Sequence, residues 1–402
     1  MFYDFRLKGF FVAVILACAV IAGGFAYAVD GLKEKETGVL KLSLADAIRM
    51  AENNNPQIHL SKLALEKANL AKKEIVYKDK NTPDMVKNDF DVKYGFELGK
   101  KRADFGVKMA EVGVDATIRN VRFGVEAAYY AALAADDNYR ISEESLKMQE
   151  EMLRIAQAKF KSGTVARKDV LDAQTQLAKA QADYQKAESE KEKAYINLKR
   201  LLGIEMDRPV ELTDEFEYRP LDKEADLKKL LEDAQKNRMD IIQARWNLDI
   251  AQLDFDLISK VYPSNTFKYK EKEYNLEEAR MKLDDAVSQV EAEVREILLD
   301  LRVAGGNIPL LDKSVEAAEE SLRLAKLSYE AGIVRSVDVM AAEEALKRIR
   351  LQRSQAIYNY NLAKIKLENV VYIPVSGSAA TGSSTMSGSL NSAAVSPDAG
   401  GF

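Results

Sequence analysis

Apolar residues recur at alternating spacings of three and four positions along two long stretches of the chain, and this heptad pattern predicts helices that pack as coiled coils. In the first stretch the apolar positions are Leu146, Leu153, Ala156 and Phe160, followed after a gap by Val170, Ala173, Leu177 and Ala180. In the second they are Val315, Ala318, Leu322, Ala325 and Tyr329, followed by Val339, Ala342 and Leu346. A glycine lies in each gap, where a helix can end in the left-handed conformation. Each stretch therefore predicts an antiparallel helical hairpin.

The two hairpins are copies of one repeated unit. Gly332 lies 169 positions after Gly163, and Asp338 lies at the same offset from Asp169. An earlier block, which begins at Leu44, repeats 183 positions further along the chain. The predicted fold is therefore all-α, with duplicated long antiparallel coiled-coil hairpins and at most a small β portion.

Composition shifts along the chain suggest its organisation. Pro209 and Pro220 mark a connection between the repeats, and the end of the chain is rich in Gly, Ser and Ala. The predicted segments are a signal peptide at 1–28, a first repeat at 29–202 with its tip near 163, a linker at 203–226, a second repeat at 227–372 with its tip near 332, and a flexible tail at 373–402.

The first 28 residues have the pattern of an export signal. Arg6 and Lys8 precede a short apolar run, and the small-residue triplet Ala26-Tyr27-Ala28 follows it. An uncleaved membrane anchor is the alternative interpretation, although the apolar run is short for a spanning helix, which needs about 20 residues. Both interpretations place the protein in the cell envelope.

Two segments depart from the helical pattern. Residues 90–98 alternate apolar and polar side chains without interruption, which predicts a strand with one polar and one apolar face. Gly305, Gly306 and Pro309 interrupt the second repeat where the first has no helix-breaking residues, so we expect a break or kink there.

Composition and charge exclude several functions. The 402 residues include one His and one Cys, so neither a His-based catalytic triad nor a His-rich metal site can form within one chain. The net charge of −5, without a basic run, also disfavours nucleic acid as a partner. The sequence therefore predicts a protein that is not an enzyme and that has no metal or other cofactor.

The duplicated turns resemble those of the TolC-type outer-membrane efflux family. The resemblance rests on the segments 43–47 and 54–56, which open the first copy, and on the turns 159–173 and 329–340. It covers roughly residues 42–372, with membrane strands that are reduced in this sequence. It implies a protein of the outer membrane and periplasm. The implied protein is a homotrimer whose hairpins form a hollow helical α-barrel, with a small strand barrel in the outer membrane and the hairpin tips facing the inner membrane. A periplasmic adaptor and an inner-membrane pump are the implied partners.

The resemblance also suggests functional residues at the tips. It implies that an adaptor contacts Gly163, Thr164, Val165, Gly332, Ile333 and Val334, and that Tyr329 and Asp338 line the channel aperture. The glycines and the aspartate have a structural interpretation too, as a helix stop and as an acidic residue in the first turn of the next helix. The sequence departs from the family pattern at Val334, where an arginine is usual, and at Ala341, where a second aspartate is usual. The resemblance therefore does not extend to the bonds that close the aperture.

Three functions are compatible with this pattern. The first is a TolC-like exit duct that passes small molecules or other export substrates. The second is a non-conducting envelope scaffold that keeps the same coiled coils. The third, an adaptor of the same pump systems, lacks sequence for the strand-rich domains that surround an adaptor's hairpin. The transported substrate is not readable, because a wide aqueous bore selects weakly.

Overall fold

The computed structural model describes residues 38–221 and 226–375, most of which are helical. The helices are α1 (Leu44–Asn54), α2 (Pro56–Asn81), α3 (Asp84–Lys87), α4 (Phe90–Lys161), α5 (Arg167–Leu202), α6 (Leu227–Asn237), α7 (Met239–Ser259), α8 (Phe267–Glu330) and α9 (Ser336–Asn369). The strands are β1 (Leu40–Leu42) and β2 (Val210–Leu212), which pair in one small sheet. The predicted all-α class with duplicated long hairpins is confirmed.

The described residues divide into two units. The small unit comprises residues 38–41 and 207–211, and in it the backbone N–H of Leu40 donates to the carbonyl of Pro209 at 2.9 Å. The large unit contains the rest of the described chain, including every helix. It therefore contains both repeats and both hairpin tips.

Each repeat contributes one long hairpin, α4–α5 and α8–α9, and α9 also packs along α4 so that the two hairpins share a core. The 72 residues of α4 span about 110 Å at the helical rise of 1.5 Å per residue. Near the tips the shared core contains Met152 from α4, Leu322 and Tyr329 from α8, and Val339 and Leu346 from α9. We call this group the tip core, and it places the two tips side by side.

At the other end of the long helices, a shorter helix in each repeat turns back along the long one. α2 packs on α4, and α7 packs on α8. Gly99 of α4 allows the close approach of α2, since a Cβ there would lie 3.3 Å from Cδ1 of Ile75. Two turns, residues 82–89 and 260–266, connect these helices.

The predicted strand at 90–98 is wrong, because these residues form the first turns of α4. The Asp89 carboxylate caps that helix by accepting the backbone N–H of Asp91 at 2.9 Å. α2 and α7 both pack on α4. Because two neighbouring helices cover a wide arc of α4, apolar residues two positions apart can both be partly buried in a helix. The alternating pattern therefore does not require a strand.

The second repeat has no break at this point, since α8 continues through both glycines with Pro309 inside it. The expected kink stays a prediction. Gly305 has a packing role instead. A Cβ at this position would lie 3.1 Å from Cε2 of Tyr360, so the missing side chain lets the ring of Tyr360 lie against the α8 backbone.

A buried ion pair anchors the segment that follows α9. Arg238, which is 2% exposed, pairs with Glu293 of α8 and donates from Nη1 to the carbonyl of Val370 at 2.7 Å. The other carboxylate oxygen of Glu293 accepts the backbone N–H of Val375 at 2.9 Å. Ile373 and Val375 are buried, so these residues of the predicted tail belong to the core.

Several expectations concern residues outside the described range. The predicted signal peptide lies there, as do residues 376–402 of the predicted tail and residues 222–225 of the predicted linker. Within the part of the chain that the structure describes, no helix has an apolar stretch long enough to cross a membrane.

We predict a pH-dependent stability from Glu126 on α4. Burial and the charge of Glu368 raise the pKa of Glu126 to about 7, and Arg122 opposes the shift. A raised carboxyl pKa stabilises the fold at low pH, and this contribution is lost as the pH rises through about 7. The free energy of unfolding of the parent protein should therefore fall between about pH 5 and pH 8. In Glu126→Gln this fall should be smaller by about 1 kcal/mol, after allowance for solvent screening. Urea titrations of both proteins at both pH values test this, and an unchanged pH dependence would contradict it.

Candidate functional site at the hairpin tips

The first tip is closed by its own backbone. Gly163 has φ of 75°, the left-handed conformation that glycine adopts without steric cost. Its N–H donates to the carbonyl of Phe160 at 2.9 Å, and the N–H of Thr164 donates to the carbonyl of Lys159 at 2.9 Å. This pair of bonds is the Schellman arrangement, which satisfies carbonyls that the end of α4 would otherwise leave free.

The second tip repeats this geometry at the offset of 169 residues. Gly332 has φ of 74°, and its N–H donates to the carbonyl of Tyr329 at 3.1 Å. The N–H of Ile333 donates to the carbonyl of Ser328 at 2.9 Å. The duplication seen in the sequence therefore extends to individual backbone hydrogen bonds.

An aspartate fixes the start of the helix that follows each tip. The carboxylate of Asp169 accepts the backbone N–H of Ala166 at 3.0 Å, and that of Asp338 accepts the N–H of Arg335 at 2.9 Å. A negative charge at this position also interacts favourably with the N-terminal end of the helix dipole. The structural role expected for these aspartates is thus present in both tips.

The predicted adaptor-contact residues form the outer surface of the tips. Gly163, Thr164, Gly332 and Ile333 are exposed, and the side chain of Ile333 is 78% accessible. Val165 and Val334 are half-buried, and Val334 packs against the tip core. A Cβ added at either glycine would meet no atom within 4 Å, so open space surrounds both turns. An exposed isoleucine beside a rigid turn can bind an apolar surface of another protein.

Lys159 links the two tips directly. Its Nζ donates to the carbonyl of Tyr329 at 2.8 Å and lies 3.7 Å from the centre of the Tyr329 ring. The ring itself is buried in the tip core, and its hydroxyl has no hydrogen-bond partner among the described residues. Burial, and then the charge of Asp169, raises the pKa of Tyr329. A cation and a carboxylate of the first repeat thus act on an aromatic ring of the second.

The two predicted aperture residues have different environments in the single chain. Tyr329 is buried between the hairpins, whereas Asp338 is exposed at the start of α9. Of these two residues, it is therefore Asp338 that presents a charged group to solvent. No group of three His, Cys, Asp or Glu side chains in the described ranges could hold a metal ion.

A layer of polar contacts, which the heptad pattern does not predict, lies next to the tip core. The buried Gln149 donates from Nε2 to Glu343 at 2.7 Å, and Nζ of the buried Lys347 donates to Asp183 at 2.5 Å. Gln149 occupies a heptad position in the sequence, but its partner lies 194 residues away. Heptad spacing identifies the seam position without identifying such a partner.

Comparison with known proteins supports a channel fold. The sequence matches the outer membrane efflux protein family over residues 100–204 and 264–371, slightly more than half of the chain. No curated protein is significantly similar to the chain in sequence.

Solved structures of outer membrane proteins resemble the fold. VceC from Vibrio cholerae has a TM-score of 0.66 at 15% identity, over 82% of this chain and 95% of that one. The CmeC channel of Campylobacter jejuni has a TM-score of 0.66 at 14% identity, over 82% and 85% of the two chains. The open state of the MtrE channel of Neisseria gonorrhoeae has a TM-score of 0.62 at 16% identity, over 82% and 88%. At such low identity these similarities are evidence for the fold alone.

Proposed function

Since the chain belongs to the outer membrane efflux protein family, we propose that it is the exit duct of a tripartite export system. In this proposal three copies form a helical channel, a periplasmic adaptor binds the hairpin tips, and an inner-membrane pump supplies the substrate. The transported molecules pass through the bore in water and undergo no chemical change. The family is one of efflux proteins, and its members are channels without a catalytic site.

The pair of matched tips is the observation that carries this proposal. Both tips end in a left-handed glycine, both are closed by their own backbone bonds, and Lys159 holds them together. A repeated partner, such as the helical hairpins of an adaptor, would meet two surfaces of similar geometry on each chain. The side chain of Ile333 offers an apolar contact there, so the adaptor-contact set proposed from the sequence has accessible members.

The exposed carboxylate of Asp338 supports a charged aperture. In a threefold assembly this residue would occur three times around the axis, and a ring of carboxylates attracts cations and repels anions. Tyr329 acts in this proposal through the tip core, by setting the position of the turn that precedes Asp338.

Single-channel recording tests both the duct and the aperture. Purified protein of trimeric mass should give discrete conductance steps in planar bilayers, with a preference for cations. Asp338→Asn should weaken that preference several-fold, because asparagine keeps an oxygen for the Arg335 N–H and removes only the charge. Glu316→Gln, at an exposed site on α8, is the matched control and should change nothing.

Two results would contradict the proposal. Helical trimers that never conduct would rule out the duct and favour the non-conducting scaffold. If the trimers conduct and the ion preference is the same in the parent and in Asp338→Asn, Asp338 does not line the aperture. That result would leave the proposal of a duct standing.

A further inference from the structure

A cleft of about 650 Å³ lies between the segment that precedes α6 and the helices α8 and α9. Its volume is in the range of pockets that hold drug-sized molecules. Most of the lining residues are apolar or aromatic, among them Leu298 and Leu299 of α8 and Tyr218 and Leu221 of the segment before α6. The side chain of Leu299 is 56% exposed, so part of this apolar lining faces water. The cleft therefore has the composition of a ligand site.

A buried tyrosine of α9 fixes one wall of the cleft. The backbone N–H of Leu221 donates to the hydroxyl of Tyr360 at 3.1 Å, and the rings of Tyr218 and Tyr360 lie 4.7 Å apart in an edge-to-face arrangement. Tyr360 itself is 3% exposed. Because the wall is attached to a buried side chain, the cleft needs little further ordering when a ligand binds.

Two adjacent glycines of α8 keep the opposite wall open. Gly305 lets the Tyr360 ring lie against the helix, whereas a Cβ at Gly306 would meet no atom within 4 Å. Pro309 changes the backbone of this wall, because it has no N–H to donate to the carbonyl of Gly305 four residues earlier. The glycines and the proline, which do not end α8, thus leave space and a backbone acceptor beside the cleft.

The charged residues that line the cleft are basic. They are Arg295 and Arg302 of α8, and no Asp or Glu of the described ranges joins them. Arg295 pairs with Glu291 at 2.6 Å, and the two side chains are 53% and 45% exposed. Surface pairs of this kind contribute little free energy, so the guanidinium can exchange the carboxylate of Glu291 for an anionic group of a ligand. An apolar wall and a cationic group therefore belong to the same site.

We propose that this cleft binds an amphipathic organic anion, a small molecule with an aromatic or aliphatic body and one carboxylate or sulfonate group. The apolar body packs against the leucines of α8 and the ring of Tyr218, where it leaves contact with water. The anionic group pairs with Arg295, which favours this ligand over a neutral molecule of the same shape. The site goes beyond the proposed function, because binding in the cleft requires neither conduction nor an adaptor.

Calorimetric titration of the full chain with anilinonaphthalene sulfonate tests the proposal. Phenylnaphthylamine, which has the same rings without the sulfonate, is the uncharged probe. The parent should bind one sulfonate probe per chain and saturate. Gly306→Leu, which places a side chain in the cleft, should weaken the binding of both probes at least about tenfold, because the space is then occupied. Arg295→Gln should weaken the sulfonate probe several-fold and the uncharged probe little.

Two variants provide matched controls, and each should bind both probes like the parent. Gly106→Leu adds the same side chain at an equally open helix position on α4. Arg323→Gln removes a guanidinium of α8 that pairs with Glu320 at 2.7 Å and is 58% exposed, but that lies outside the cleft. Circular dichroism of all four variants shows whether each one keeps the helical content of the parent.

Three outcomes would overturn the inference. Equal binding of the sulfonate probe by the parent and by Gly306→Leu would place the probe outside the cleft. Equal binding of that probe by the parent and by Arg295→Gln would show that the cleft does not recognise the anion. If monomers bind the probe and trimers do not, a second copy of the chain covers the cleft, and no small molecule occupies it in the assembly.

Discussion

Arg238→Leu is expected to lower the free energy of unfolding by about 3 to 5 kcal/mol, because it leaves the Glu293 carboxylate without its guanidinium partner in the core. Arg238 also donates to the carbonyl of Val370, so the change removes a second anchor of the segment after α9. The buried carbonyl would lose its charged donor, which adds to the cost. Urea denaturation followed by circular dichroism measures the effect.

A matched surface pair provides the control for this prediction. Arg154 pairs with Glu151 at 2.6 Å, but the arginine side chain is 70% exposed. Arg154→Leu should therefore change the unfolding free energy by less than about 1 kcal/mol. If Arg238→Leu and Arg154→Leu lose the same unfolding free energy, burial of the Arg238 pair makes no difference to its contribution to stability. Arg238→Met with Glu293→Met should recover part of the loss, since it removes both charges at once.

Gly163→Val combined with Gly332→Val is expected to abolish export in an efflux-deficient strain and to leave the helical content unchanged. A valine with positive φ costs about 1 to 2 kcal/mol, and the strain is relieved if the turn changes its conformation. No atom lies within 4 Å of the added Cβ, so the fold itself can tolerate both changes. The measurement is drug or toxin resistance at matched protein levels, together with circular dichroism.

Two comparisons separate tip docking from general damage. Gly106→Val with Gly306→Val, at helix positions that are equally open, should leave export intact. Ile333→Asp introduces no backbone strain, yet it should weaken adaptor binding at least about tenfold because it places a charge in an apolar contact. Full export by the tip glycine double variant would count against any role of the turns in docking.

The heptad pattern was sufficient to predict the long hairpins and both tip glycines. A period of 3.5 residues is a local property of the sequence, and the left-handed glycine is a local requirement of the turn. The duplication strengthened the prediction, because the same local pattern occurred twice. The structure confirms both left-handed glycines, at φ of 75° and 74°.

The errors in the fold prediction arose where packing partners decide the outcome. Alternation at residues 90–98 predicted a strand, but the Asp89 cap and the packing of α2 and α7 on α4 make a helix more favourable. Gly305 and Pro309 suggested an interruption, yet α8 continues past both, and the Tyr360 ring packs against its backbone at the glycine. Neither neighbour can be identified from local periodicity.

The site was predicted in outline, without the contacts that connect its parts. The sequence identified the two turns, but it gave no reason to pair Lys159 with Tyr329, which lies 170 residues away. Asp169 was expected only as an acidic residue in the first turn of its helix, although its charge also raises the pKa of Tyr329. The adaptor-contact and aperture residues remain predictions, since a partner chain is needed to test them.

The backbone closure of the tips has a consequence for binding thermodynamics. A turn that is already ordered loses little conformational freedom in a complex, so more of the contact energy remains as affinity. Two preorganised turns on one chain also raise the effective concentration of the second contact once the first has formed. In the proposed adaptor complex, avidity of this kind would tolerate a weak individual contact and would make the lifetime of the complex depend steeply on how many tips are engaged.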